Sequence, residues 1–387
     1  MSNPLQSAFK NYKIILALFI GLSISGYMIY RAFSEVKIIK VEHNSGNLKW
    51  VDGNHNNHVD LNDLSDFKKV KTGNYQKQTL RTTLQEVTWS KTAVLWVFVA
   101  ILFTVGRDLF YMIRIRLLTK KKLTWKSSFF VIMLWEFASA LSPGVVGGAA
   151  VAMFILNRET IPMGKATAIV IVTAFMDNLF YIVMIPLVFV FLRNTEVFNI
   201  NGDTSVALTL WFWGGFTIIL LVCTFLYVSL FWRPKLAGEV LLLLFSLPFI
   251  KRWKFVAREW GKDIEIAAKQ FKNESSGFWW KVFGSTVASW LSRYLVINAL
   301  LQAFISLSVI DHVHVLAKQL ILWLFMLVSP TPGGSGIAEY AFGELLSDFT
   351  SSAMLLVALA ILWRLISYFP YLVIGSILLP VWLRKNR

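Results

Sequence analysis

Seven ionisable side chains stand where the sequence is otherwise apolar enough for lipid. Arg107, Asp108, Asp177, Arg293 and Arg364 lie in long hydrophobic runs, and Glu136 and Glu339 lie in shorter ones. A charge held at bilayer depth is rare and marks a substrate path, a relay or a counter-ion. The competing reading is a set of structural pairs that hold the chain together, and a buried ion pair by itself says little about stability. Asp177 and Arg364 are 187 residues apart, at matching places in two similar stretches. That spacing predicts a charge pair between them.

Each of the two glutamates sits beside a break. "SPGVVGG" (142–148) contains Pro143, Gly147 and Gly148, and "SPTPGGSG" (329–336) contains Pro330, Pro332, Gly333, Gly334 and Gly336. Irregular backbone at membrane depth is tolerated only where it is buried in protein or lines a wet cavity. Glycine permits both close approach and unusual dihedrals there. A helix expected to begin near 334–337 points free N–H groups toward the break, and such an end receives anions. Arg293 and Arg364 add positive charge nearby, so a phosphate-bearing lipid headgroup is the expected ligand. Glu339, one turn into that helix, is expected to pair with an arginine or to meet a cationic headgroup amine. Arg107, Glu136 and Asp177 complete the expected binding set.

What positions these residues must be a membrane fold. The 387 residues are 56% hydrophobic and 16% charged, with a mean hydropathy of +0.59, 31 Phe and 16 Trp. Soluble domains run near a quarter charged. Runs of about 20 apolar residues suffice to cross a bilayer, and they predict spans at 14–30, 93–113, 166–192, 206–232, 278–305 and 353–382. The first reads as a signal anchor rather than a removed signal peptide. Ser127–Leu141 and Val315–Val328 are shorter, the first about 22 Å as a helix, too short to cross. With the helices expected after them, from Ala149 and from Ile337, they read as two re-entrant hairpins.

The distribution of basic residues orients the chain. Segments 1–13, 114–126, 157–165, 232–277 and 383–387 carry 22 Lys and Arg, whereas 193–205, 306–314 and 343–352 carry only Arg193. The bias places both termini in the cytoplasm of a multi-pass protein of the cytoplasmic (inner) membrane. It accounts for the net charge of +16 without nucleic acid. The organisation read from this is a first helix (1–31), an external loop (32–92), a membrane repeat (93–192), a linking helix with a basic segment (193–277) and a second repeat (278–387). Ser142/Ser329, Pro143/Pro330, Gly147/Gly334 and Tyr181/Tyr368 are identical at the 187 offset. The expected fold is therefore all-α and polytopic, with two inverted repeats of span, hairpin and span, an architecture of transporters.

Two segments lie outside that scheme. "KRWKFVAREWGKDIEIAAKQFK" (251–272) is a basic amphipathic helix that suits an anionic cytoplasmic leaflet. In the external loop, Asp52, Asn54, Asn56, Asp60 and Asp63 occupy positions 1, 3, 5, 9 and 12 of a calcium loop, and "LSDFKKV" after them suggests a short helix. Asn57 stands where such loops use glycine. An ordinary turn-rich loop, or a site on His55 and His58, competes with calcium. No Walker loop, GxSxG or HExxH occurs, so neither ATP hydrolysis nor other enzyme activity is expected, and no cofactor beyond possible calcium. The single cysteine, Cys223, excludes an intrachain disulfide.

With "SPGVVGG" and above all "PTPGGSGIAE" (330–339), residues 90–383 resemble the lysylphosphatidylglycerol synthase transmembrane family. Its flippase-like membrane domains also occur without a synthetase. The resemblance implies movement of a phospholipid between leaflets. No aminoacyl-transferase region follows the last span, so lysine transfer to lipid is not expected. Two other readings stay open: an ion-coupled carrier of a small solute, and a non-transporting partner of a lipid- or glycan-synthesising enzyme.

Overall fold

The computed structural model describes residues 36–41, 45–53, 59, 64–79, 81–82, 85, 89–142, 146–200, 203–204, 206–244, 246, 254–329, 331–350 and 352–385, with four isolated positions before residue 31. The expected first span, 14–30, falls almost wholly outside them. After a small sheet the chain is helical: α1 (Lys91–Leu118), α2 (Trp125–Leu141), α3 (Val146–Arg158), α4 (Met163–Phe191), α5 (Val206–Tyr227), α6 (Leu236–Leu244), α7 (Lys254–Phe271), α8 (Ser276–Phe304), α9 (Val309–Val328), α10 (Ile337–Leu345), α11 (Ala353–Ser367) and α12 (Phe369–Lys385). A π turn carries α5 on to Trp232. Hydroxyl caps start many of these helices. Ser90, Thr124, Ser275 and Ser352 each accept from the N–H three residues on, which satisfies a donor the helix itself leaves orphaned.

Five segments among the described residues are long and apolar enough to cross a membrane: α1, α4, α5 with its π turn, α9, and the α11–α12 stretch. The burial pattern agrees. On α1, Val94, Leu95, Phe98, Ile101, Leu102, Val105 and Leu109 face outward, while Ala100, Thr104, Arg107, Tyr111 and Arg114 are buried. An apolar exterior around a polar seam suits lipid as solvent and would be an aggregation hazard in water. The protein is an all-α, multi-pass membrane protein.

Three boundaries differ from expectation. The α9 helix begins at Val309 rather than Val315, because Ser308 and Asp311 form a capping box at its start. Its 20 residues span about 30 Å, longer than the apolar piece expected from Val315 and long enough to cross. The arm still doubles back, since Lys318, midway along α9, pairs with Asp348 just beyond α10. The run expected as one helix from 353 to 382 is interrupted at Tyr368. Pro370 has no N–H for the Ile366 carbonyl, and its ring clashes with a continuous turn there.

Two apolar cores hold the bundle. One joins the second half of α4 with α5, α8, α9, α10 and α11; the other joins the end of α1 with α2, α3, the first half of α4, α7 and α12. Each hairpin thus sits in its own core. α1 and α8 run alongside each other between them. The basic segment folds as α7, whose Ile264, Ala267 and Phe271 are buried against the bundle while Phe255, Arg258, Lys262 and Lys269 are exposed.

Residues 36–79 add an element the sequence reading lacked, an antiparallel sheet of β1 (Val36–Lys40), β2 (Gly46–Trp50), β3 (Phe67–Gly73) and β4 (Tyr75–Thr79), ordered β1-β4-β2-β3. Ile38, Leu48 and Phe67 are its core. The helix expected from "LSDFKKV" is only a 3-10 turn at Leu64–Asp66; Phe67 then opens a strand, because its ring pairs inward against Trp50 and Tyr75. Of the expected calcium ligands only Asp52 is described, with φ 47°. Asn54, Asn56, Asp60 and Asp63 lie outside the described residues.

Candidate functional site

A cavity of about 370 Å³ lies between the two cores. Its walls come from α1, α2, α4, α8, α9 and α11, and the 333–334 backbone closes one side. Four arginines reach it, Arg107, Arg114, Arg293 and Arg364, with the carboxylates of Glu136 and Asp177. Nine aromatic side chains complete the wall, among them Trp135, Trp290, Trp323, Tyr181 and Tyr294.

Three of the arginines are matched. Arg107, buried on α1, pairs with Glu136 of α2 and lies 3.8 Å from Asp108, which accepts from Tyr371 Oη at 2.9 Å. Arg114 Nη1 donates to Asp177 Oδ1 at 2.5 Å and to Thr286 Oγ1 at 3.2 Å. The same Asp177 oxygen accepts from Trp290 Nε1 at 2.9 Å. Arg364 Nε donates to Glu339 Oε1 at 2.8 Å and its Nη1 to the Gly333 carbonyl at 3.1 Å. Arg293 differs. Its guanidinium lies over the Trp290 ring at 5.2 Å and forms no ion pair with a described carboxylate. Buried guanidinium nitrogens without a hydrogen-bond partner remain on Arg364 (Nη2) and on Arg107 (Nε). Arg293 is the half-buried guanidinium whose donors are left to face the cavity.

The 329–336 break is built from its own side chains. Gly333, Gly334 and Gly336 have φ of 57°, 69° and 90°, which only glycine adopts without strain. At Gly333 a Cβ would also collide with the ring of Tyr368. Thr331 Oγ1 donates to the Ser335 carbonyl at 2.7 Å, and Ser335 Oγ donates to the Pro332 carbonyl at 2.9 Å. Glu339 reaches back so that its Oε2 accepts from the Gly336 N–H at 2.8 Å. This corrects the expectation of a vacant helix end: the anion at the start of α10 is the chain's own Glu339. Tyr368, between α11 and α12, bridges the two hairpins: its ring lies against Gly333 and its Oη donates to the Ala140 carbonyl at 3.1 Å.

The Lysylphosphatidylglycerol synthase TM region is the family whose model matches residues 74–375. The chain belongs to this family. It is also similar to a UPF0104 membrane protein of Archaeoglobus fulgidus, 26% identical over 319 residues, covering 79% of this chain and 93% of that protein. No solved structure matches it.

Within this family member the cavity gathers most of the residues singled out by charge. Arg107, Glu136, Asp177, Arg293, Gly333, Gly334 and Arg364 line it. Glu339 and Gly336 stand behind the wall as supports of the break, and Pro332 caps its turn. Gly148 packs on Ser139 of α2. Pro143 and Pro330 lie outside the described residues, and Gly147 falls in the first turn of α3. The expected Asp177–Arg364 pair does not form, because each finds a nearer partner, Arg114 and Glu339.

Arg114 itself was counted with a basic loop, yet α1 runs on to Leu118 and buries it. Its signal was present: Arg107, Tyr111 and Arg114 are spaced i, i+4 and i+7, one stripe of one helix. The aromatic wall had no comparable signal among 58 aromatic residues.

Proposed function

We propose that this protein moves a phosphate-bearing lipid between the leaflets of the cytoplasmic membrane, without an ATPase of its own, by admitting the headgroup to the cavity. The observation that carries the reading is Arg293, a half-buried cavity arginine that forms no ion pair with a described carboxylate. The cavity volume of about 370 Å³ suits a headgroup and leaves the acyl chains outside, against the apolar exterior of the helices. Membership of the family supports a membrane role of this kind.

The orientation proposed, with basic loops cytoplasmic, is supported by their meeting at one end of the bundle. Lys120 pairs with Glu274, and Trp382 donates to Glu159. At the opposite end Trp89 packs edge-on against Phe304, and His314 lies 3.7 Å from Glu196.

The test is reconstitution into vesicles containing fluorescent lipids, with the exposed fraction read by chemical quenching. Wild type is expected to move anionic phospholipid, and Arg293→Ala to lower that rate tenfold or more with an unchanged melting temperature. Arg293→Lys should keep part of the rate, since it retains charge and loses only the planar fork. Uptake of a soluble anion without lipid movement would overturn the reading in favour of a small-solute carrier. Absence of either activity in folded protein would leave a non-transporting partner.

A further inference from the structure

Outside the cavity, the 36–79 sheet is strongly basic. Its four strands and the turn before β3 hold seven lysines and one acidic residue, Asp66, while the other acidic residues of 32–92 lie in the connections. The register separates the two faces, because directly paired residues of antiparallel strands share a face. Ile38, Leu48, Trp50 and Phe67 lie on one face and form the core, with exposed Lys77 and Lys69, the direct partners of Ile38 and Leu48, on the same face. Lys49 and Lys68 lie on the other, directly opposite each other across β2 and β3, and both are exposed. Neither pairs with a described carboxylate.

Two like charges directly opposed on a sheet destabilise it. Lysine on an edge strand is a common guard against edge-to-edge pairing, and that accounts for Lys68 on β3. It does not account for Lys49, because β2 is an interior strand between β4 and β3. An external anion bridging the two ammonium groups relieves the repulsion.

We infer that this face docks on the anionic phospholipid headgroups of the leaflet beside α1. The geometry favours a lipid surface over a soluble polyanion. β4 ends at Thr79 and α1 begins at Lys91, a tether of at most roughly 40 Å even when fully extended. The sheet is thereby held near one leaflet at high effective concentration. Each lysine at an anionic surface adds attraction that falls off within about 10 Å.

The test uses the full chain with Cys223→Ser and Thr72→Cys, the latter exposed on β3 four residues along the strand from Lys68. It carries an environment-sensitive fluorophore in nanodiscs of phosphatidylcholine alone or mixed with phosphatidylglycerol. Protection from acrylamide quenching of threefold or more is expected only with phosphatidylglycerol, and about 0.5 M salt should abolish it. Lys49→Gln/Lys68→Gln should lower the docked-to-free ratio about 30-fold. Lys49→Gln alone, which leaves the edge strand intact, should lower it about fivefold. Equal quenching in both lipids, or protection that survives the double substitution, would overturn the inference. Protection by soluble polyphosphate in neutral nanodiscs but not by phosphatidylglycerol would assign the face to a soluble polyanion instead.

Discussion

The two hairpins begin from similar sequence and are held by different means. In the second, three glycines of positive φ turn the chain, Thr331 and Ser335 close the turn, and Arg364 with Glu339 clamps it. The carboxylate stands after the break, on the short arm. In the first, the carboxylate is Glu136, before the break on the long arm, and its partner Arg107 belongs to α1. The described part of that hairpin is held mainly by packing, with Gly148 on Ser139 and Phe137 against Gly375 of α12. One hairpin is therefore a polar clamp and the other a packed wedge. A Ser-Pro and glycine composition specifies that the helix must break; the neighbouring helices specify what the break then does.

The largest expected effect separates these two modes. Arg364→Ala leaves Glu339 Oε1 and the Gly333 carbonyl without the Arg364 donors in a buried place, and losing one member of such a pair is worth about 3–5 kcal/mol. Glu136→Gln on the other hairpin should destabilise by about 1–3 kcal/mol. Arg107 there keeps Asp108 at 3.8 Å and the Tyr371 ring at 4.8 Å. Thermal unfolding in mild detergent ranks the two, and equal losses would erase the distinction between clamp and wedge.

Backbone strain sharpens the same comparison. Gly333→Ala must adopt φ 57° against the ring of Tyr368, at about 1–3 kcal/mol. Gly148→Ala meets only the Ser139 side chain, which can rotate away, so about 1 kcal/mol is expected. A larger loss at Gly148 than at Gly333 would show the first break to be the stiffer one.

The smallest effect belongs to Tyr368, which bridges the two hairpins from between α11 and α12. Tyr368→Phe removes the hydrogen bond to the Ala140 carbonyl at about 0.5–1.5 kcal/mol. The expected signature is a small fall in melting temperature with intact spans. A fall as large as that of Arg364→Ala would mean that the hairpins act as one unit.

Much of the fold was legible because hydropathy and breaks are local properties. The expected spans at 93–113, 166–192 and 206–232 coincide with α1, α4 and α5 within about five residues, whereas 278–305 matches helix α8, which is not among the five apolar enough to cross. The α9 boundary was missed because "DHVHV" reads as polar loop, although Ser308 and Asp311 form an adequate cap for a helix there. The sheet was missed because the calcium-like spacing at 52–63 drew the reading toward a loop and helix. Alternation in Phe67–Gly73 is blurred by adjacent lysines.

What the sequence determined by itself is which residues carry charge at membrane depth and where helices stop. A carboxylate in an apolar run and a proline in a helix have consequences that need no partner to be known. What only the tertiary structure decided is who pairs with whom. Asp177 meets Arg114 across 63 residues, Glu339 meets Arg364 across 25, and Arg293 is left over. Those choices depend on the rotation of each helix about its axis, to which composition is blind. A turn of about 100° per residue moves a side chain from cavity to lipid without altering the hydropathy of the run that contains it.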